Sequence, residues 1–212
     1  MSHSRASRAI VITEASSPIA LASAARLAAD GELVLMGTRR IDMCERFAAQ
    51  LRADGAAVFA AHLDFADPPS IDRFVESADY LIGSVDVLVS AAGLADGSWV
   101  GAQHLAAQVI PPMIDNRRGD VVLISPGLVG ASTATADRML EAWVAALDAE
   151  FVGTGVRASI IRSTGTGGSR PLPPGDVGRL IAAAISSPER MHLRVLDVIA
   201  PVPAASRSMP AR

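Results

Sequence analysis

Short apolar runs of strand length alternate with longer runs of helical periodicity from one end of this chain to the other. Candidate strands are 8–13, 32–36, 56–62, 85–91, 119–125, 155–162 and 193–200, and candidate helices are 18–29, 41–53, 69–81, 99–114, 133–152 and 175–186. Strands that alternate with helices are joined by right-handed crossovers, so the pattern predicts an α/β fold with one doubly wound parallel sheet of about seven strands. Residues 1–212 are expected to form this single domain, with 1–7 and 203–212 flexible because they have little to bury.

Composition narrows the classes of protein to which the chain can belong. Hydrophobic residues make up 50 % of the chain and aromatic ones only 4 %, as suits a parallel sheet covered by helices on both faces. The net charge of −3 gives no electrostatic reason to bind nucleic acid, and we find no apolar run long enough to span a membrane. The lone Cys44 and the lack of an apolar secretory signal at the N-terminus indicate a cytoplasmic protein. His3, His62 and His192 are too dispersed to predict a metal site.

The first strand is followed by a turn, 13–18, that opens an Ala-rich helix. Strand-to-helix turns at this place in a doubly wound sheet hold the pyrophosphate of a dinucleotide on the helix N-terminus. They use three glycines, which allow the tight turn, the approach of the phosphates and the packing of helix on sheet. Here the three positions hold Glu14, Pro18 and Ala20. The order of strand, turn and helix therefore predicts a cofactor site, whereas the residues at the three glycine positions argue against one.

Five segments in the same order and spacing resemble the short-chain dehydrogenase/reductase family, over residues 8–202. Segment 13–20 is similar to the family's Thr-Gly-x-x-x-Gly-Ile-Gly, 88–93 is similar to its Asn-Asn-Ala-Gly, and 174–177 is similar to its late Pro-Glu-Asp-Val. Segment 35–40 ends in two basic residues, which in the family mark a preference for NADP. Segment 62–64 ends in an Asp that in the family contacts the adenine ring. The resemblance implies a Rossmann-like domain. It also implies a set of cofactor-binding positions, which fall on Thr13, Ser16, Ile19, Arg39, Arg40, Asp64, Ala91 and Gly93.

The family's catalytic residues are largely replaced. Its chemistry uses a Tyr for proton transfer, a Lys four residues later that lowers the Tyr pKa, a Ser at the substrate carbonyl, and an Asn. In this sequence the Tyr and Lys positions fall on Thr133 and Asp137, and the Asn position falls on Ser98. The Ser position falls near Ser125 or Pro126. The only tyrosine, Tyr80, lies in an earlier helix. A Thr hydroxyl is far too weak an acid to replace Tyr near neutral pH, and Asp137 inverts the charge that would activate it.

Cofactor affinity is expected to be low for an electrostatic reason. Glu14 places a carboxylate near the pyrophosphate position, and two like charges about 5 Å apart repel by roughly 3 kcal/mol at an effective dielectric of about 20. Pro18 also removes one amide donor from the helix N-terminus. Arg39 and Arg40 can recover part of the loss by holding a 2′-phosphate, or they are simply a solvated pair. The expectation is weak NADP(H) binding or none, and no metal.

Three functional hypotheses remain open. The first is a catalytically degenerate member of the family that serves as a structural or regulatory subunit, in which Ser125 contacts a ligand or merely caps its strand. The alternative is an atypical NADP(H)-dependent oxidoreductase of carbonyls or alcohols that uses a non-standard acid or one from a partner. A third is a non-redox lyase or isomerase built on Thr133 and Asp137, which are one helical turn apart.

Two helices carry a signal for assembly. Helix 133–152 is apolar nearly all round, so one side is expected to pack on the sheet and the other on a partner or on a neighbouring helix. The family resemblance favours a partner subunit, with helix 99–114 completing the contact. We therefore expect a homodimer, or a hetero-oligomer with an active relative. His104 in helix 99–114 is interpreted as an ordinary helix residue.

Overall fold

The computed structural model describes residues 6–91, 98–125, 134–163, 172–188 and 191–198. Strands and helices alternate through these ranges as the sequence predicts, with bounds within two residues of the predicted ones. The strands are β1 (Ala9–Ile12), β2 (Leu33–Thr38), β3 (Val58–His62), β4 (Val87–Ser90), β5 (Gly119–Ile124), β6 (Val156–Ser163) and β7 (Val195–Val198). The helices are α1 (Pro18–Ala29), α2 (Ile41–Ala53), α3 (Pro68–Leu81), α4 (Ser98–Asp115), α5 (Ala134–Glu150) and α6 (Pro174–Ile185).

The strands form one parallel sheet with the order β3-β2-β1-β4-β5-β6-β7. The chain winds outward from β1 to β3, returns to the centre at β4 and winds outward again on the other side. Ile12 of β1 pairs with Met36 of β2 and with Val89 of β4, so three strands end side by side at the centre of the sheet. The winding reverses between β1 and β4, and the carboxyl ends of strands at such a point are where doubly wound sheets bind their ligands.

Helices cover both faces of the sheet, and two hydrophobic cores result. One core lies under α1, α2 and α6 and includes Ile19, Ala48 and Ile181. The other lies under α3, α4 and α5 and includes Phe74 and Leu105. The predicted doubly wound fold is therefore confirmed, and its aliphatic strands are buried as expected for a sheet covered on both sides.

A buried ion network ties the amino edge of the sheet together. Arg8, which precedes β1, donates from Nε and Nη2 to Oε1 of Glu32, at 3.0 and 2.5 Å, and its side chain is 4 % exposed. Its Nη1 also donates to the carbonyl of Ile185 at the end of α6. Asp120 of β5 accepts two contacts of 2.8 Å from Arg157 of β6. Burial raises the pKa of the Asp120 carboxyl, and the hydrogen bond and charge of Arg157 act in the opposite direction. The network lies opposite the ligand edge and therefore serves the scaffold.

Helix α5 buries one side only within this chain. Leu140, Val144 and Leu147 face the core, and Trp143 packs edge-on against Trp99 of α4 with ring centroids 4.7 Å apart. The side that carries small residues is exposed; it consists of Ala142, Ala145, Ala146 and Ala149. Large apolar side chains are exposed nearby, with Val100 71 % and Val152 81 % accessible. Among the described residues, none forms a helix long and apolar enough to cross a lipid bilayer.

Candidate functional site

The carboxyl ends of β1 and β4 meet at the centre of the candidate site. The Thr13 amide donates to the Val89 carbonyl at 3.0 Å, and the Ala91 amide donates to Oγ1 of Thr13 at 3.3 Å. Both residues are buried, so Thr13 fixes the spacing of the two strand ends rather than offering its hydroxyl to solvent. Gly93, the other cofactor position predicted after β4, lies outside the described residues.

The turn between β1 and α1 adopts the backbone of a glycine turn without the glycine. Glu14 has φ of 49°, in the left-handed region that glycine adopts at no cost and that other residues rarely adopt. The Ser17 amide donates to the Glu14 carbonyl at 3.0 Å, and Oγ of Ser17 accepts from the Ala20 amide at 3.2 Å. Pro18 has no amide hydrogen, so among the described contacts only the Ile19 amide stays unbonded in the first turn of α1. The turn therefore engages two of its own amide donors, and the residue with the positive φ is an acid. The predicted cofactor residue Ser16 is half-buried in this turn.

A second helix start at the same edge has the opposite character. The turn from β2 into α2 forms a cavity of about 310 Å³, lined by Arg39, Arg40 and Arg46 together with Ile41, Asp42 and Met43. Helix α2 has no side-chain cap, and the amides of Ile41 and Asp42 make no hydrogen bond among the described contacts. These three guanidinium groups and the positive end of the helix dipole favour an anion, while the Asp42 carboxylate offsets one charge.

Asp64 lies next to this cavity along the edge of the sheet. Thr38 of β2 pairs with His62 of β3, and Asp64 follows two residues later. One of its carboxylate oxygens accepts from the Ala66 amide at 2.9 Å, and its own amide donates to Oγ of Ser70 at 3.0 Å. The side chain therefore shapes the loop before α3 and stays partly exposed.

Cys44 lies on the inner side of α2 and is fully buried. Burial raises the pKa of its thiol, against a hydrogen bond from Thr38 and the charge of Arg40. A buried thiol with a raised pKa is a poor nucleophile, so Cys44 serves the packing of α2 rather than chemistry.

At the end of β5 the structure joins two residues that the sequence could only place separately. Oγ of Ser125 donates to Oδ1 of Asp137 in the first turn of α5 at 2.5 Å. Ser125 is fully buried, and its amide donates to the Ile161 carbonyl of β6 at 2.9 Å. Arg162 of β6 has a raised pKa, caused mainly by its hydrogen bond to Asp197 and in smaller part by the charge of Asp137. The hydroxyl group of Ser125, the candidate catalytic serine, is thus already bonded to the carboxylate of Asp137, which stands at the family's Lys position.

The remaining candidate residues divide into three cases. Ser98 begins α4 and is buried, 5 % exposed. Tyr80 lies near the C-terminal end of α3 and is 88 % exposed, away from the carboxyl edge of the sheet. Thr133 lies outside the described residues. Across the described part of the chain, no group of three or more His, Cys, Asp or Glu could hold a metal ion.

The sequence analysis missed two features of the site. Arg46 lies in the second turn of α2 and lines the same cavity as Arg39 and Arg40. A basic residue seven positions after Arg39 was the available signal. The contact between Ser125 and Asp137 had no signal in the sequence, because it depends on how closely α5 approaches the end of β5.

The family model for "short chain dehydrogenase" matches residues 8–166, which is most of the chain. The chain belongs to the short-chain dehydrogenase family. The 1-deoxy-11-beta-hydroxypentalenate dehydrogenase of Streptomyces exfoliatus is 30 % identical over 88 % of this chain and 82 % of its own length. Glycine betaine reductase ATRR of Emericella nidulans is 28 % identical over 86 % of this chain, which spans only 18 % of that longer protein.

Comparison with solved structures finds the same fold. A metagenomic short-chain oxidoreductase whose crystal structure was determined in complex with NADP superposes with a TM-score of 0.79. It covers 92 % of this chain and 98 % of its own, at 19 % sequence identity. At that identity the likeness establishes the Rossmann-like fold, and the chemistry has to be argued from the residues of this chain.

Proposed function

We propose that this chain is a catalytically degenerate short-chain dehydrogenase that serves as a structural or regulatory subunit. The observation that carries the proposal is the 2.5 Å hydrogen bond from Ser125 to Asp137. The residue at the family's Lys position is an acid, and it accepts the hydroxyl proton that a catalytic Ser would offer to a substrate carbonyl. A carboxylate at that position cannot lower the pKa of a neighbouring proton donor as the cation of a Lys would.

Two further residues support the proposal. Thr133 stands at the family's Tyr position, and its hydroxyl is too weak an acid for the proton transfer that accompanies hydride transfer. Glu14 occupies the turn at which the family binds the pyrophosphate, where its negative charge would repel the two negative charges of that group. The residues present therefore do not fit the nicotinamide and pyrophosphate parts of NADP(H), and we derive no reaction through it.

Hydride transfer is the activity to test. Purified protein would be incubated with NADPH deuterated at C4 and a panel of ketones and aldehydes, and deuterium in the alcohol products would be measured by mass spectrometry. We expect no transfer above the rate without protein. Transfer that Ser125→Ala abolishes would contradict the proposal.

The second candidate is an atypical NADP(H)-dependent oxidoreductase. The cavity lined by Arg39, Arg40 and Arg46 favours it, since guanidinium groups bind phosphate well and a structural relative was solved with NADP. Isothermal titration with NADP(H) separates the candidates. Weak binding or none is expected for the degenerate subunit, and micromolar binding with turnover would support the enzyme.

We further propose that the exposed face of α4 and α5 forms the contact with a second copy of this chain or with an active relative. Its exposed alanines and the neighbouring Val100 and Val152 support this proposal. In light scattering after gel filtration, Ala145→Glu is expected to lower the mass, whereas Ala183→Glu on the exposed side of α6 leaves it unchanged. A monomeric parent protein would count against self-association, and co-purification with a related chain would then be the test.

A cytoplasmic location stays a prediction from the lone Cys44.

A further inference from the structure

A cavity of about 330 Å³ lies at the amino edge of the sheet, on the side opposite the candidate site. It is formed by the turns that follow α4 and α5 and by the first residues of β5 and β6. Its volume is at the lower end of the range for small-molecule pockets, roughly 300–1,000 Å³. The cavity can therefore take a small ligand that does not reach the carboxyl edge.

Three arginines line this cavity, and they differ in how far they are already engaged. Nε of Arg157 donates to Oδ1 of Asp120 at 2.8 Å, and the Arg157 side chain is largely buried. Arg118 forms a partly exposed ion pair with Asp86 at 3.2 Å. Arg117 is exposed and has no ion-pair partner among the described residues. One guanidinium group of the cavity is therefore left with its donors available for an external anion.

Arg117 holds this place in a backbone conformation that favours glycine. Its φ is 52°, and among the described residues only Glu14 and Arg117 combine a positive φ with a side chain. The conformation sets the Arg117 carbonyl against Gly155, where an added Cβ would lie 2.1 Å from the carbonyl oxygen. Arginine is less stable than glycine in such a conformation, which indicates that its side chain has a use other than the stability of the turn.

Backbone donors border the same cavity. Gly153 and Gly155 line it, and their amides make no hydrogen bond among the described contacts, whereas the Thr154 amide between them donates to the Phe151 carbonyl at 3.0 Å. Free amides beside a guanidinium group are donors that suit an oxyanion. Phe151 and Val156 add apolar side chains to the lining, which suits a ligand with a hydrocarbon part.

The surrounding charges favour an anion with one negative charge over an anion with two. Arg118 and Arg157 are balanced by their own carboxylate partners, so Arg117 supplies the one unbalanced positive charge of the lining. Asp115, two residues earlier, is exposed at the end of α4. Both α4 and α5 end at this edge, and the negative ends of their dipoles disfavour a second negative charge. A carboxylate meets these conditions better than a phosphate, because it has a single charge and binds one guanidinium group through two hydrogen bonds.

We propose that the cavity at Arg117 binds a small organic monocarboxylate. The Arg117 guanidinium group and the amides of Gly153 and Gly155 would bind the carboxylate, and Phe151 and Val156 would contact the hydrocarbon part. The inference goes beyond the proposed function and does not depend on it, since the cavity shares no residue with the candidate site at the carboxyl edge. A ligand that binds only the folded chain there would also stabilise it.

NMR titration of the full ¹⁵N-labelled chain with benzoate, acetate and inorganic phosphate tests the proposal. Benzoate is expected to shift the amide resonances of Gly153 and Gly155 in a saturable way at millimolar concentration. Acetate should bind about fivefold more weakly, because it lacks the apolar contacts, and inorganic phosphate about tenfold more weakly than benzoate. No saturable shift with either carboxylate would overturn the inference, and phosphate that binds as tightly as benzoate would overturn the monocarboxylate class.

Arg117→Gly is the decisive variant, because it removes the guanidinium group and suits the positive φ. It should raise Tm and weaken benzoate about tenfold or more, so that lost binding cannot be attributed to unfolding. Arg117→Lys keeps the charge without the planar pair of donors and should retain part of the affinity. Arg26→Ala removes the same charge from an exposed ion pair in the last turn of α1 and should change the affinity by less than about twofold. Unchanged benzoate affinity in Arg117→Gly would overturn the inference.

Discussion

Restoring the family's lysine is expected to damage this protein, because the site is built around an acid at that position. Asp137→Lys removes a hydrogen bond between a buried hydroxyl and an ionised carboxylate, which contributes about 1.5–3 kcal/mol. It also places a cation in the first turn of α5, where the helix dipole disfavours it by about 0.3–1 kcal/mol. The two contributions together predict a loss of about 2–4 kcal/mol in the free energy of unfolding.

Urea unfolding monitored by tryptophan fluorescence measures this loss, because Trp143 lies on the same helix and packs against Trp99, both of them half-buried against the core. For a chain of this length the predicted loss lowers Tm by roughly 4–16 °C. Asp137→Asn retains an acceptor and should cost about 1 kcal/mol. Glu150→Lys makes the same charge change at the exposed C-terminal end of α5, where a cation is favoured, and should be neutral within about 0.5 kcal/mol. If Asp137→Lys were as stable as Glu150→Lys, the Ser125–Asp137 contact would not hold the site as described.

Three further outcomes follow from the scaffold. Arg8→Met should lower the free energy of unfolding by about 3–5 kcal/mol in chemical denaturation, because it leaves the buried Glu32 carboxylate without its partner. Arg26→Met, which breaks an exposed ion pair, should lower it by less than about 1 kcal/mol, and similar losses in the two variants would contradict the burial argument. Gly155→Ala should lower the free energy of unfolding by at least about 3 kcal/mol, since the new Cβ would lie 2.1 Å from the carbonyl oxygen of Arg117. Gly153→Ala should lower it by only about 1–2 kcal/mol, since Gly153 also has a positive φ but open space around it. A smaller loss for Gly155→Ala than for Gly153→Ala would count against the turn geometry. Folding favours protonated Asp120, so the free energy of unfolding should fall as pH rises from the ordinary carboxyl pKa of about 4 toward the raised value, and Asp120→Asn should remove that slope.

The fold could be predicted from local pattern because each strand and helix has its own periodicity and punctuation. Pro18 and Pro68 begin helices at the first turn, where a missing amide costs nothing, and the predicted bounds of α1 and α2 agree with the observed ones. The parallel order then follows from the alternation of elements and from the handedness of the crossovers.

The site could be predicted only where its residues are adjacent in sequence. Arg39 and Arg40 follow directly after β2, so their place at the carboxyl edge was predictable. The left-handed backbone of Glu14 and the contact of Ser125 with Asp137 depend on neighbours that packing brings together. The pattern predicted that α5 packs on both of its sides, but composition alone does not tell which alanines face the core and which face outward, and the contact with a partner stays a prediction.

Saturation-transfer difference NMR with NADP⁺ asks most directly whether this chain holds a nicotinamide for hydride transfer. A degenerate site predicts saturation only of the carbon-bound protons of the adenine and of its 2′-phosphorylated ribose, with no signal on the nicotinamide ring. Glu14→Gly should strengthen binding without adding nicotinamide contacts, since Asp137 still engages Ser125. Nicotinamide protons saturated as strongly as those of adenine in the parent protein, and lost in Ser125→Ala, would contradict the non-catalytic function.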